Sequence, residues 1–130
     1  MLFRSSGIRF RRVDLDGKPE TPALVEHAIE SERRTQLGEG DRALHTVEHV
    51  LAAVMGAGID DLVIEMDAAE PPILDGSAEP FMELLDRAGV KKLRRKRRYL
   101  KVLKPLEVAE GDRRIGIYPD RKSTRLNSSH

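Results

Sequence analysis

Five consecutive residues, His45-Thr46-Val47-Glu48-His49, set a carboxylate directly beside an imidazole, and the apolar run Val50-Leu51-Ala52-Ala53-Val54 follows at once. A neutral imidazole can hold Zn²⁺, and an adjacent carboxylate can take a proton from the water that the metal binds. Such an ion lowers the pKa of that water from about 15.7 to about 7, which makes hydroxide available at neutral pH. A carboxylate placed to shuttle the proton adds about 10²–10⁴-fold in rate. Metal-assisted hydrolysis is therefore the chemistry these residue types suggest.

A helix turns about 100° per residue, so Glu48 and His49 do not share one direction but border the same end of a helix. Near an N-terminus both can face a common point outside the first turn. A purely structural reading stands beside this one: Glu48 as a first-turn acid favoured by the helix dipole, and His49 as an ordinary half-buried side chain. If the helix began before His45, then His45 and His49 would be i, i+4 neighbours, with His45, Glu48 and His49 matching the H-x-x-E-H pattern of inverzincin metallopeptidases. That reading wants a third ligand, and the downstream carboxylates Glu107 and Glu110 fall in a predicted hairpin instead.

The elements that would position these residues follow from periodicity. Ile8 and Phe10 alternate with polar residues, and Val13 and Leu15 continue the alternation one position out of step, which predicts a strand with a bulge before the turn Asp16-Gly17-Lys18-Pro19. Val25, His27 and Ile29 alternate likewise, and Thr35 to Leu37 closes a further extended stretch. From about Thr46, the residues Val47, Val50, Leu51 and Val54 recur at helical spacing up to Gly56 and Gly58, the usual helix stop. Ile59 to Met66 reads as a strand, and Pro71-Pro72 with Asp75-Gly76 makes the next stretch a loop. Ser77 can cap a second helix whose Phe81, Leu84, Leu85 and Ala88 fall on one face, with Gly89 at its end. Tyr99 to Val108 and Arg114 to Tyr118, joined through Glu110-Gly111-Asp112, predict an antiparallel hairpin. The mixture points to an α+β two-layer domain, a mixed or antiparallel sheet with two helices packed on one face.

The 130 residues include 39% hydrophobic and only 4% aromatic ones, so Leu, Ile, Val and Ala must build the core. The 23 basic and 22 acidic residues leave a net charge of +1, which argues against a nucleic acid as the main partner. The absence of cysteine excludes disulfides and thiolate metal sites and suits a reducing compartment. Neither a signal peptide's apolar stretch nor a membrane span is visible, so a cytoplasmic protein is expected. Lys91 to Arg98 carries seven Lys or Arg in eight positions. It reads as a solvated connector after a helix C-terminus or as a site for an anionic partner: a membrane surface touched peripherally, a diphosphate, or RNA bound by a non-enzymatic α+β domain. The last reading lacks an aromatic stacking platform.

Two ordered motifs carry a resemblance. Thr46-Val47-Glu48-His49 and Glu70-Pro71-Pro72-Ile73-Leu74-Asp75-Gly76-Ser77-Ala78-Glu79-Pro80-Phe81, with Gly58-Ile59-Asp60-Asp61 between them, resemble the UDP-3-O-acyl-N-acetylglucosamine deacetylases of lipid A biosynthesis. The resemblance runs from about Gly7 to Pro119. It implies a domain fold like the second domain of ribosomal protein S5, a Zn²⁺ cofactor, His49 as a metal ligand and Glu48 as the general base. The reaction it implies is hydrolysis of the N-acetyl group of a UDP-linked, acylated glucosamine. Thr35 falls in a stretch that helps line the substrate pocket in the family, with no individual role assigned. His45 becomes a helix-start residue and the proline-rich loop a turn plus cap, without a catalytic role.

Members of that family have two similar domains, the second supplying a His and an Asp to the zinc and a further catalytic His. This chain is expected to correspond to the first, with residues 1–6 unassigned, 7–120 forming the domain and 121–130 a non-native disordered tail. A catalytic zinc takes three protein ligands. On its own, the chain is therefore expected to bind zinc poorly and to show no deacetylase activity.

Overall fold

A computed structural model of the chain describes residues 7–29, 31 and 34–120. The expectations for 1–6 and 121–130 lie outside the described residues. The contacts divide the chain into two compact units, one up to Leu93 and one from Arg94 onward.

The first unit is α+β, as the alternating and helical periodicities predict. Strand β1 (Ile8–Arg12) lies between β2 (Glu20–Pro22), antiparallel, and β6 (Leu62–Met66), parallel. A second, antiparallel sheet joins the short strands β3 (Ala28–Ile29), β4 (Gln36–Leu37) and β5 (Leu44–His45) in that order. Helices α1 (Glu48–Gly56) and α2 (Glu79–Ala88) contact each other.

The core gathers Phe10 of β1, Leu37 and Leu44 of the small sheet, Val47, Val50 and Ala53 at and within α1, Met66 of β6 and Phe81 of α2. In α1 the buried Val50, Ala53 and Val54 fall at i, i+3 and i+4, the stripe a helix needs to cover a sheet. The helix ends in a Schellman motif. Ile59 N–H donates to Val54 C=O at 3.2 Å and Gly58 N–H to Met55 C=O at 3.0 Å, with Gly58 in the left-handed conformation at φ 66°. In α2, Phe81 is buried and Leu85 packs against the core, but Leu84 is exposed, so the apolar face is narrower than its sequence suggests.

Three other expectations change at their ends. The first strand stops at Arg12: Val13 N–H makes the last bond to β6, on Met66 C=O, and the chain then turns, Lys18 N–H closing on Leu15 C=O. The turn takes up Val13 and Leu15, and no bulge is needed. Val25 to His27 forms a single 3₁₀ turn instead of extended chain, with His27 N–H bonded to Leu24 C=O; only Ala28 and Ile29 are paired as strand. The predicted strand from Ile59 begins at Leu62, after the chain has left the Schellman turn.

Arg12 is the one polar side chain buried with the core among the described residues. Alternation along β1 turns it inward, and Asp14 receives its Nε and Nη2 at 2.8 and 2.6 Å. Its remaining Nη1 reaches the carbonyls of Asp41 and Ala43 at 3.4 and 3.3 Å. On the opposite face Arg9 and Arg11 share Glu20, and Arg11 also reaches Glu65. The hydrogen bonds from Arg12 hold the Asp14 carboxyl below its ordinary value of 3.8. A depressed carboxyl contributes stability that is complete above the ordinary value and lost as pH falls through the folded one. Asp14→Asn is therefore expected to lower the melting temperature at pH 7, and the gap to the parent should narrow progressively as pH falls below 3.8. A gap that stays constant in thermal melts across that range would refute the coupling.

In the second unit, β7 (Leu106–Glu110) and β8 (Arg113–Ile117) form the predicted hairpin across Gly111-Asp112, with Leu106 facing Ile117 and Val108 facing Ile115. Its first strand starts at Leu106, not at Tyr99. Gly116 opposite Glu107 leaves room for the Tyr118 ring, whose hydroxyl donates to Glu107 Oε1 at 2.6 Å. The side chains of Lys91–Arg98 are exposed.

Candidate functional site

Glu48 opens α1 and His49 follows it, both half-buried. The helix N-cap is Val47, which offers no side-chain acceptor. Val47 is instead fully buried, so the helix entrance is held by packing. An acid at the first helical position also suits the helix dipole.

His45 lies in β5, paired with Gln36, and not in the helix. The two imidazoles therefore do not stand one turn apart on a helical face, which overturns the inverzincin-type reading and the placing of His45 as a helix-start residue. The physical reason is the backbone between them: Thr46 adopts φ 54°, a left-handed conformation that costs a β-branched residue about 1–3 kcal/mol and cannot continue a right-handed helix.

Two anchors hold this strained turn. His45 N–H donates to Ala69 C=O at 2.9 Å, and Thr46 N–H to Thr35 C=O at 2.9 Å. Thr35 N–H then donates to Glu48 Oε2 at 3.2 Å. The entrance to α1 is thus pinned from the strand before it and from the chain leading into the proline-rich loop.

That loop behaves as a turn and cap. Asp75 Oδ1 accepts from the Ser77 N–H and hydroxyl at 2.9 and 2.8 Å, which lowers the Asp75 pKa, and Ser77 Oγ accepts from Glu79 N–H at 3.2 Å. Leu74 is left-handed at φ 52°. The predicted cap at Ser77 thus lies one residue ahead of the helix N-cap, Ala78.

An apolar groove of about 240 Å³ runs between α1, β6, α2 and the Pro71-Pro72 loop, with Val50 and Phe81 in its lining and Glu65, Asp67 and Glu70 among its polar residues. Glu48 and His49 do not line it. No group of three or more His, Asp or Glu residues able to hold a metal occurs among the described residues. A carboxylate and an imidazole are donor types that suit zinc, but Glu48 and His49 are two such groups where a catalytic centre takes three protein ligands.

The sequence profile of the UDP-3-O-acyl N-acetylglycosamine deacetylase family matches residues 3–129. The chain belongs to this family. It is 40% identical to the UDP-3-O-acyl-N-acetylglucosamine deacetylase of Geobacter sp. (strain M21) over 116 residues, which are 89% of this chain and 38% of that protein. Against the deacetylase of Stenotrophomonas maltophilia (strain K279a), identity is 46% over 107 residues, 82% of this chain and 35% of the relative. The deacetylase of Anaeromyxobacter dehalogenans (strain 2CP-C) is 46% identical over 114 residues, 88% of this chain and 36% of its own length. The chain therefore spans a little over a third of these relatives.

Within a family member of this extent, the main-chain contacts at Thr35 and the left-handed Thr46 are what the residue pattern missed. A backbone N–H leaves no trace in residue type, and threonine is a poor marker for positive φ.

Proposed function

We propose that the chain carries the general base and one metal ligand of a zinc-dependent hydrolase that removes the N-acetyl group from a UDP-linked, 3-O-acylated N-acetylglucosamine in lipid A biosynthesis, a cytoplasmic reaction. The observation that carries this reading is the placement of Glu48 and His49 together on the first turn of α1, in a chain of the deacetylase family.

On this reading Glu48 accepts a proton from water as the water oxygen attacks the acetamide carbonyl carbon. The carbon–nitrogen bond then breaks, and the proton held by Glu48 passes to the leaving nitrogen, giving acetate and a free amine. His49 contributes a neutral imidazole as one ligand to zinc; the other ligands come from outside the described residues. Zinc, when bound, polarises the carbonyl and lowers the pKa of water. The anchored turn at Thr46 fixes the point at which α1 begins, and Glu48 and His49 are its first two residues.

The test is a chimera in which residues 7–120 replace the matching part of the Geobacter sp. (strain M21) deacetylase. Acetate release is expected from the chimera, abolished by a chelator and restored by added Zn²⁺, while the 130-residue chain alone releases none. A His49→Ala chimera should lose both bound zinc and turnover. Retention of zinc and turnover by that variant, or turnover that survives complete metal removal, would overturn the reading.

A further inference from the structure

Strands β4 and β5 pair antiparallel with Gln36 opposite His45, so the next rung would bring Thr35 opposite Thr46. Half of that rung forms: Thr46 N–H donates to Thr35 C=O at 2.9 Å. The other half does not. The chain swings away at the left-handed Thr46, and the Thr35 N–H, which a regular ladder would give to the Thr46 carbonyl, goes to Glu48 Oε2 at 3.2 Å. The carboxylate has taken the place of a strand carbonyl, and it does so across 13 residues of sequence, so helix formation alone would not create this contact.

We propose that the Thr35 peptide is a positioning group for Glu48: its N–H fixes Oε2 and thereby selects Oε1 as the oxygen presented to the attacking water. This rests on the reading of Glu48 as the base. A glutamate at a helix entrance has three rotatable side-chain bonds, and a rate advantage from a base requires that it stand within hydrogen-bond reach of the proton it removes. The Thr35 N–H narrows that freedom from one side. Thr46 maintains the arrangement, since its turn brings the start of α1 back over the end of the ladder. Among the described residues, Oε1 receives no hydrogen bond.

The test removes the one hydrogen. Replacing Thr35 by the corresponding α-hydroxy acid in the chimera exchanges its N–H for an ester oxygen and keeps the side chain and the carbonyl that accepts from Thr46. The expected result is a fall in kcat of about tenfold or more, since a small misplacement of a reacting group can cost up to about 10²-fold. KM and zinc content should stay within about twofold, within the spread of a change that touches neither substrate nor metal. A lowered melting temperature with unchanged kcat would reduce Thr35 to a structural contact and overturn the proposal.

An independent readout uses amide exchange in the 130-residue chain. The Thr35 amide should be protected in the parent and in Glu48→Gln, whose side-chain carbonyl still accepts, and should lose that protection in Glu48→Ala. Equal protection in Glu48→Ala would likewise overturn the proposal. The two readings fail separately: a fully active Glu48→Gln chimera removes the base, whereas an inactive Glu48→Gln chimera beside a fully active ester removes only the positioning role.

Discussion

Glu48→Gln in the chimera is expected to lower kcat by about 10²–10⁴-fold, the usual contribution of a positioned general base. The amide preserves the length and shape of the side chain and keeps an oxygen for the Thr35 N–H, so the helix entrance should remain as it is. What it loses is the capacity to accept a proton. KM should change little and zinc content not at all, because His49 and the core beneath α1 are untouched. Steady-state acetate release measured beside metal content separates this outcome from loss of the metal site, which His49→Ala should produce instead. A fall smaller than about tenfold would remove Glu48 from the role of base, since even weak general-base contributions exceed it.

Much of the scaffold around this residue was legible because it rests on side-chain periodicity. Val47, Val50, Leu51 and Val54 announce α1, Gly58 its end, and Phe81 with Leu85 the inner face of α2. The hairpin is visible in the alternation either side of Gly111-Asp112. The parts that were not legible are those decided by the main chain. Val25 and His27 alternate like a strand but form a 3₁₀ turn, because the His27 N–H closes on Leu24 C=O and the paired ladder with Gln36–Leu37 starts at Ala28. Val13 and Leu15 suggested a bulge where the chain simply turns. At the site, Glu48 and His49 were legible as a pair because their chemistry is in their side chains. Whether His45 joined them depended on one backbone angle at Thr46, which no residue type in the pentapeptide encodes. The packing of α2 shows the converse limit: Leu84 sits on the predicted apolar face, yet it is exposed where that face opens onto the groove.

The largest loss of stability is expected from Phe10→Ala. Phe10 is completely buried, in the central strand of the β2-β1-β6 sheet, and it belongs to the same cluster as Val47, Val50, Met66 and Phe81. Truncating a phenylalanine so placed costs about 3–5 kcal/mol, from lost burial and from the cavity left behind. Whole domains are stable by only about 5–15 kcal/mol, so the change should remove a large share of the total. The sheet cannot easily close the gap, because β1 is bonded to a neighbour on each side and cannot shift without breaking one ladder. Val25, which is 83% exposed, supplies the comparison: Val25→Ala should lie within about 0.5 kcal/mol of the parent. Urea unfolding of the three proteins measures the difference. The consequence reaches the site, since Val47 and Val50 flank Glu48 and His49 and pack in that cluster; a Phe10→Ala chimera should therefore lose turnover on warming at a lower temperature than the parent does. Equal midpoints for Phe10→Ala and Val25→Ala would mean that this cluster is not what holds the entrance of α1 in place.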